Sequence, residues 1–327
     1  MSEALEQRFG NFKKSIQINK YGSQWEKDRK NFLVNFKKGF FENLGAWDFF
    51  PVVYKNDFIE KDLQYVGATN EKKIIKIGNN NFCVPRNHRN RILSHSVNYL
   101  NIIKNYINEN DVICEVGTGP GVLSALIHQE KKTTNILIDI PDVMLVGISF
   151  LFSIFPEKKY LLPNEIKDLD ITNINKYDFI FLTPEQTELI SENSVNFVIN
   201  TQSFMEMDKN EVENYLKLFD RILKNYGHFF CSNRLRKRHY FFNYPFFLIN
   251  NLKLISLEKD AFFYKNQRLA SMLNLLAIKD PKGKGIKFGF FDKIKGIFLF
   301  KSWEFFYWTK IDIKYLINLF LKFVKIR

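Results

Sequence analysis

The segment Asp111-Val-Ile-Cys-Glu115-Val-Gly117-Thr-Gly119-Pro-Gly121 constrains this chain more than any other. A short apolar run ends in an acid, glycines then occupy every second position, and a helical pattern runs from Val122 to Glu130. That order predicts a buried strand, a tight turn and a helix start, the layout of a nucleotide-cofactor crevice in an open α/β sheet. Glycine is needed because such turns visit φ > 0 and because a side chain would hold the backbone away from a ligand. The spacing is G-x-G-x-G, not the dinucleotide G-x-G-x-x-G. A pyrophosphate favours the bare N–H groups of a helix start. An acid two positions ahead of the first glycine instead suits a ligand carrying positive charge.

A second apolar run, Thr134-Asn-Ile-Leu-Ile-Asp139, ends in an acid 20 residues after Gly119. In Rossmann-like sheets an acid at the end of the second strand takes the ribose hydroxyls. The competing role for Asp139 is a helix cap ahead of Pro141, which suits an early helix position. Further strands are expected near 177–183, 195–200, 227–232, 252–258 and 269–278, with helices at 121–131, 142–155 and 209–225 between the early ones. Alternation of this kind predicts a parallel sheet with right-handed crossovers. The last two strands leave no room for a crossover and should run antiparallel.

Ahead of the sheet, Ser23-Gln-Trp-Glu26 is a capping box. Trp25, Phe32, Phe36, Phe40 and Leu44 continue one helical face until Gly45. Extended pieces at 52–54 and 73–77 lead to a helix near Ile92 to Ile107. Three regions follow: a helical cap and substrate region over 1–95, the catalytic sheet over 96–281, and a basic aromatic extension over 282–327.

The chain has 327 residues, 46% of them apolar, enough for a sizeable core. Cys83, Cys114 and Cys231 are scattered and odd in number, which fits buried thiols in a reducing, cytoplasmic compartment. Met1 to Lys20 lack the apolar core of a secretory leader. The net charge of +13 is uneven: residues 282–327 contribute +8 and the remaining 281 residues only +5.

The acid-plus-glycine turn resembles motif I of the S-adenosyl-L-methionine (SAM) methyltransferases, whose cofactor carries an amino acid and a sulfonium. Asp139-Ile-Pro141-Asp142, together with Asn200-Thr-Gln-Ser-Phe-Met-Glu206-Met207 after the fourth strand, resembles the sugar O-methyltransferases of bacterial surface-polysaccharide gene clusters. Tyr215 and Asn233-Arg234 fit the same pattern, and the likeness covers roughly residues 85–280. It implies a Rossmann-like, seven-stranded class I methyltransferase sheet with SAM as cofactor. It further implies that Glu115, Gly117, Gly119 and Asp139 bind SAM and that Gln202 and Glu206 line the reaction centre. Thr118, Gly121, Ile140 and Asn200, at the turn and the strand ends, complete the expected cofactor set.

Methyl transfer to a hydroxyl needs a positioned base. Glu206 is the first candidate, with capping of the helix at Asp208 or Lys209 as its competing role. His239, in Arg234-Leu-Arg-Lys-Arg-His239, is the second. Arg234, and Arg91 in the Arg86–Arg91 cluster, could recognise phosphate or carboxylate on a glycan, although charge runs are usually solvated. No metal-ligand spacing appears on the crevice side.

In the extension, Thr309-Lys-Ile-Asp312 is a capping box. Lys310, Lys314, Asn318 and Lys322 form one polar stripe on an otherwise apolar helix. Packing on the protein or a second subunit and docking on a membrane surface are both open for it. The expected acceptor is a glycan or a nucleotide- or lipid-linked sugar. Nucleic acid is not expected, because the fourth strand ends in Asn-Thr-Gln-Ser and not the Pro-Pro-aromatic turn of base amino-methyltransferases. NAD(P)-linked oxidoreduction, another SAM acceptor and a non-catalytic membrane-associated SAM-binding module are the rival functions.

Overall fold

The computed structural model describes residues 3–15, 74–83, 91–166, 171–234, 236–237, 240–241, 249, 251–260 and 272–282. The elements run α1 (Glu3–Ser15), β1 (Ile74–Ile77), β2 (Asn80–Cys83), α2 (Arg91–Ile103), β3 (Val112–Val116), α3 (Val122–Lys131), β4 (Thr134–Ile138) and α4 (Pro141–Ile154). They continue with β5 (Tyr160–Leu161), β6 (Phe179–Leu182), β7 (Val195–Thr201), α5 (Lys209–Ile222), β8 (Leu223–Arg234), β9 (Arg236–Lys237), β10 (Tyr240–Phe241), β11 (Leu252–Lys259) and β12 (Met272–Lys279).

Eight strands form one sheet in the order β11-β12-β8-β7-β3-β4-β6-β5. Strands β3, β4 and β6 are buried along their whole length, as runs without apolar–polar alternation should be when both faces are covered. Strand β12 is antiparallel to both β8 and β11, while the other pairings are parallel. Seven strands in this order, with the last one inserted antiparallel beside the fifth, make the class I methyltransferase sheet. All seven expected strands are present. The eighth, β5, is a two-residue edge strand on β6 with no periodic signal of its own.

Alternate residues of each strand face opposite layers. Cys114, Val116, Ile136, Ile138, Val198 and Phe229 pack with Val212, Leu216, Phe219 and Ile222 of α5. On the other face, Ile113, Phe197, Ile199 and Phe230 meet Tyr99, Ile103, Leu123 and Ile127 of α2 and α3. Leu137, Phe179 and Phe181 meet α4 and α1. Helix α5 begins at Asp208, whose N–H donates to Glu211 Oε2 at 3.0 Å, and Lys279 Nζ donates to the carbonyls of Asp220 and Leu223 at its other end. The boundary expected at residue 95 falls inside α2, which packs on α3.

The charged N-terminus folds as α1, which the sequence reading did not anticipate. Leu5 and Phe12 are buried, and Arg8 makes a two-pronged pair with Glu165 at 2.6 Å on each oxygen, with Tyr160 O also accepting at 2.9 Å. The hairpin β1–β2 docks on the far ends of α3 and α4: Gly78 N–H donates to Gln129 Oε1, and a Cβ at Gly78 would lie 2.4 Å from Ile154 O. The helix expected over 23–44, the extended piece at 52–54 and the capped helix of the extension lie outside the described residues.

Because the Arg8–Glu165 pair is partly exposed, its contribution is discounted for solvent. Arg8→Ala should lower stability by about 1 kcal/mol. It should also speed tryptic cleavage at Lys13 and Lys14 without changing the far-ultraviolet spectrum of the sheet. Unchanged cleavage would mean that Leu5 and Phe12 hold α1 on their own.

Candidate cofactor and reaction site

Register brings the chemistry-bearing ends of three strands to one level. Val116 of β3 pairs with Ile138 of β4 on one side and Asn200 of β7 on the other, so Gly117 and Asp139 leave the sheet at the level where β7 ends in Thr201. This is the point where strand order reverses, the crevice in which open α/β sheets bind ligands.

The turn is left-handed at every glycine: φ is +73° at Gly117, +54° at Gly119 and +72° at Gly121. Two of them are required for different reasons. At Gly117 a Cβ would lie 2.1 Å from Ser203 Oγ, so any side chain would displace the loop after β7. At Gly119 a Cβ would meet nothing within 4 Å, so its backbone borders open space where a ligand can approach. Gly121 precedes the first residue of α3, and its carbonyl accepts the Ala125 N–H at 3.0 Å.

Two carboxylates flank the turn. Glu115 is 2% exposed and accepts a 2.6 Å hydrogen bond from Ser124 Oγ of α3. Burial pushes its carboxyl up to about 8, against the Ser124 bond, with the nearby Asp139 charge adding to the rise. Asp139 Oδ2 accepts the Gly119 N–H at 2.8 Å, and Oδ1 accepts the Ile140 N–H at 2.8 Å. Burial raises it to about 7, opposed by these N–H groups and by Thr118, which reaches it through both hydroxyl and backbone. Its surface is only partly covered, so burial weighs less on it than on Glu115. Ile140, and not Asp139, caps α4, with Pro141 in the first turn.

Asn200 is fully buried with its amide engaged on every side. Nδ2 donates to Val116 O at 3.0 Å and Ser203 Oγ at 2.6 Å, while Oδ1 accepts from Phe204 N at 3.3 Å and Asn233 Nδ2 at 2.8 Å. It ties β3, β7 and β8 together just below the turn.

The loop after β7 is similarly pinned. Gln202 sits at φ +61° with its N–H on Ser232 O at 2.7 Å. Met205 N–H donates to Asn233 Oδ1 at 3.2 Å, Glu206 N–H to Ser203 O at 2.9 Å and Met207 N–H to Phe204 O at 3.2 Å. Glu206 is therefore exposed on a rigid backbone, and the start of α5 is capped by Asp208 with Glu211 and not by Glu206.

Arg91 opens α2 one turn before His95, and Arg234 ends β8; only their backbones are described. His239 lies outside the described residues. Four residues near the loop went unread in the sequence: His95 and Tyr99 on α2, Ser232 on β8 and Asp260 after β11. A signal existed for the first two, a polar pair spaced i, i+4 on an otherwise apolar helix face. Among the described residues, no three His, Cys, Asp or Glu side chains gather as a metal site would require.

No protein-family model matches the chain. A curated relative, the NADP(+) shikimate dehydrogenase of Buchnera aphidicola subsp. Cinara cedri (strain Cc), is 31% identical over 131 residues, 39% of this chain. The match spans under half of that enzyme, 45% of its length. Among solved structures, geranyl diphosphate methyltransferase in complex with GPP and sinefungin superposes with a TM-score of 0.41, at 10% identity over 57% of this chain and 77% of that one. The Haemonchus contortus phosphoethanolamine N-methyltransferase 1 gives 0.42, at 12% identity over 64% of this chain and 47% of that one. A SAM-dependent methyltransferase from Aquifex aeolicus gives 0.38, at 11% identity over 55% and 88%. Likenesses this distant carry no argument about chemistry, and the fold rests on the strand order itself.

The Glu115 carboxyl should contribute stability that is lost as pH rises. Glu115 is raised above its ordinary 4.5, so the folded state holds a proton that the unfolded state releases. Its contribution is intact below about 4.5 and lost through about 8. Glu115→Gln keeps an acceptor for Ser124 and removes the ionisation. Thermal unfolding should show the two proteins alike near the low end of that range and the variant more stable at its high end. Parallel curves would disprove the buried charge.

Proposed function

We propose that the protein is a SAM-dependent O-methyltransferase acting on a sugar hydroxyl of a bacterial surface glycan or its nucleotide- or lipid-linked precursor. The observation that carries this reading is the junction of Gly117 with Ser203. It seats the Ser203 side chain where a Cβ at Gly117 would lie, so the Gln202–Glu206 loop packs directly on the glycine turn. A ligand in the turn would then have a carboxylate-bearing loop beside its reactive end.

We assign the cofactor roles to the glycine turn and its two carboxylates. Gly119 would give SAM access to the backbone, Asp139 would receive the ribose hydroxyls, and Glu115, once ionised, would complement the positive charge of the molecule. SAM supplies an activated methyl group when bound. Glu206 takes the proton from the acceptor hydroxyl, with His239 as the second candidate. Arg91 and Arg234 are assigned to an anionic group of the acceptor because both stand at element ends beside this loop. Asn200 supports the site from beneath, since its amide is already engaged.

Residues 283–327 lie outside the described residues, and among those described no helix is long and apolar enough to cross a membrane. A cytoplasmic enzyme whose extension rests on an anionic membrane face would meet a lipid-linked acceptor there. Each lysine contributes about 1 kcal/mol to such an association.

Two substitutions separate cofactor from catalytic roles. Asp139→Ala removes charge-assisted hydrogen bonds worth roughly 1.5–3 kcal/mol, so calorimetry should show SAM binding about tenfold to hundredfold weaker. Unchanged affinity in the folded variant would remove Asp139 from the ribose.

Glu206→Gln should lower turnover by roughly 10²–10⁴ with SAM affinity little changed. The assay is methyl transfer from labelled SAM to UDP-, GDP- and dTDP-linked hexoses and to lipid-linked sugar extracts. Full activity in Glu206→Gln with none in His239→Ala would pass the base role to His239. SAM binding without transfer to any sugar would replace the sugar reading by another acceptor or by a binding module.

A further inference from the structure

One polar cluster among the described residues takes no part in the cofactor turn. His95 and Tyr99 lie one helical turn apart on α2, both buried. Gln202 directs its Nε2 at both of them, 2.6 Å from His95 Nδ1 and 3.1 Å from the Tyr99 phenol oxygen. Ser232 Oγ donates to the same oxygen at 3.1 Å, and Tyr99 in turn hydrogen-bonds to Asp260, just past β11.

Each proton in this chain has one direction. A carboxylate only accepts, so the Tyr99 proton goes to Asp260. Burial, reinforced by the Asp260 charge, raises the phenol well above its ordinary value, so that proton stays in place. With its proton committed, the phenol oxygen can only accept. The group opposite it must therefore be the NH2 of Gln202 and not its carbonyl. The other amide hydrogen then lies between Gln202 Nε2 and His95 Nδ1, where only one hydrogen fits. His95 is thereby the neutral tautomer with its proton on Nε2. The remaining polar atom of Gln202, Oε1, has no donor among the described residues. It is carried one residue before Ser203, which lies on the glycine turn.

We propose that His95, Tyr99, Ser232 and Asp260 are positioning residues that fix the Gln202 amide, so that its carbonyl oxygen accepts a hydrogen bond from a second hydroxyl of the acceptor, beside the one being methylated. This rests on the methyltransferase reading above. In that reaction the acceptor oxygen forms a bond to the methyl carbon as the carbon–sulfur bond breaks. The products are a methyl ether, S-adenosylhomocysteine and one proton, which passes to the base and not to Gln202. The acceptor class that fits is therefore a diol or polyol, with one hydroxyl reacting and its neighbour held by Gln202.

Nitrogen NMR on the full chain with labelled histidine and glutamine side chains tests the proton directions. The His95 signal is identified by its loss in His95→Asn. At neutral pH the expected pattern is a bare Nδ1, a protonated Nε2 and a coupling across the hydrogen bond to Gln202 Nε2. Tyr99→Phe keeps the ring and removes the oxygen, and Asp260→Asn can donate as well as accept without opening a cavity. Each should let the Nδ1-protonated tautomer appear. A protonated Nδ1 in the native protein, or a tautomer indifferent to both substitutions, would overturn the proposal.

On the nucleotide-sugar panel, Gln202→Met should raise the acceptor KM by about tenfold with S-adenosylhomocysteine affinity unchanged. Equal weakening of both would move Gln202 to the cofactor side. Failure of the native protein to methylate any sugar would sink the sugar reading alone, because the tautomer pattern decides the proton chain independently.

Discussion

Much of this molecule depends on a side chain that is absent. Ser203 occupies the space that a Cβ at Gly117 would need, so the loop after β7 rests directly on the turn after β3. The backbone there is left-handed at both Gly117 and Gln202, and the second of these is unfavourable for a side chain. The strain is sustained by two buried asparagines beneath it. Asn233 donates to Asn200, Asn200 donates to Val116 O, and the two amide oxygens accept the N–H groups of Phe204 and Met205. A buried amide left unpaired costs about 1–3 kcal/mol. Slack between the two loops would break several of these bonds together. The relative position of turn and loop is therefore set by the interior, before any ligand arrives.

The sheet was legible because its strands are contiguous apolar runs between glycines and acids, and that signal is local. Strands β3, β4, β6, β7, β8, β11 and β12 and helices α3, α4 and α5 all lie within a few residues of where periodicity puts them. Helix α1 was not legible. It offers two buried anchors, Leu5 and Phe12, and its main polar partner, Glu165, stands 157 residues away. Strand β5 is too short to carry a pattern, and it exists because β6 presents an unpaired edge. Residue 95, where the sequence divides the helical cap from the sheet, lies within α2. The pattern of α2 identifies a helix, but only its packing against α3 and β8 shows which body it belongs to.

The same distinction separates the two halves of the candidate site. The proposed cofactor side is written in one stretch from Asp111 to Asp142, so its residues could be named from a local motif and the resemblance that motif carries. The proposed acceptor side is assembled from α2, β7, β8 and the residue that follows β11. The Gln202–His95 bond joins residues 107 apart and the Ser232–Tyr99 bond residues 133 apart. A sequence lists such residues without saying that they meet. Asn200 shows the converse. Its position at the end of β7 suggested a ligand contact, yet its neighbours in space engage the whole amide.

The charge in the crevice bears on which ligand it suits. Glu115 and Asp139 are each raised chiefly by burial, so ionising either carries a cost. A cationic ligand offsets that cost, whereas a pyrophosphate adds to it. The N–H groups of the turn point the same way. Gly119 N–H, which a phosphate would need, already donates to Asp139 Oδ2, and Thr118 reaches the same carboxylate. A dinucleotide would have to displace a charge-assisted hydrogen bond and bring two further negative charges beside a buried acid. SAM brings a sulfonium and an ammonium, and its ribose asks Asp139 to accept, which the carboxylate can do with its remaining lone pairs. Electrostatics and donor count thus both favour a ligand that carries positive charge over one that carries a pyrophosphate.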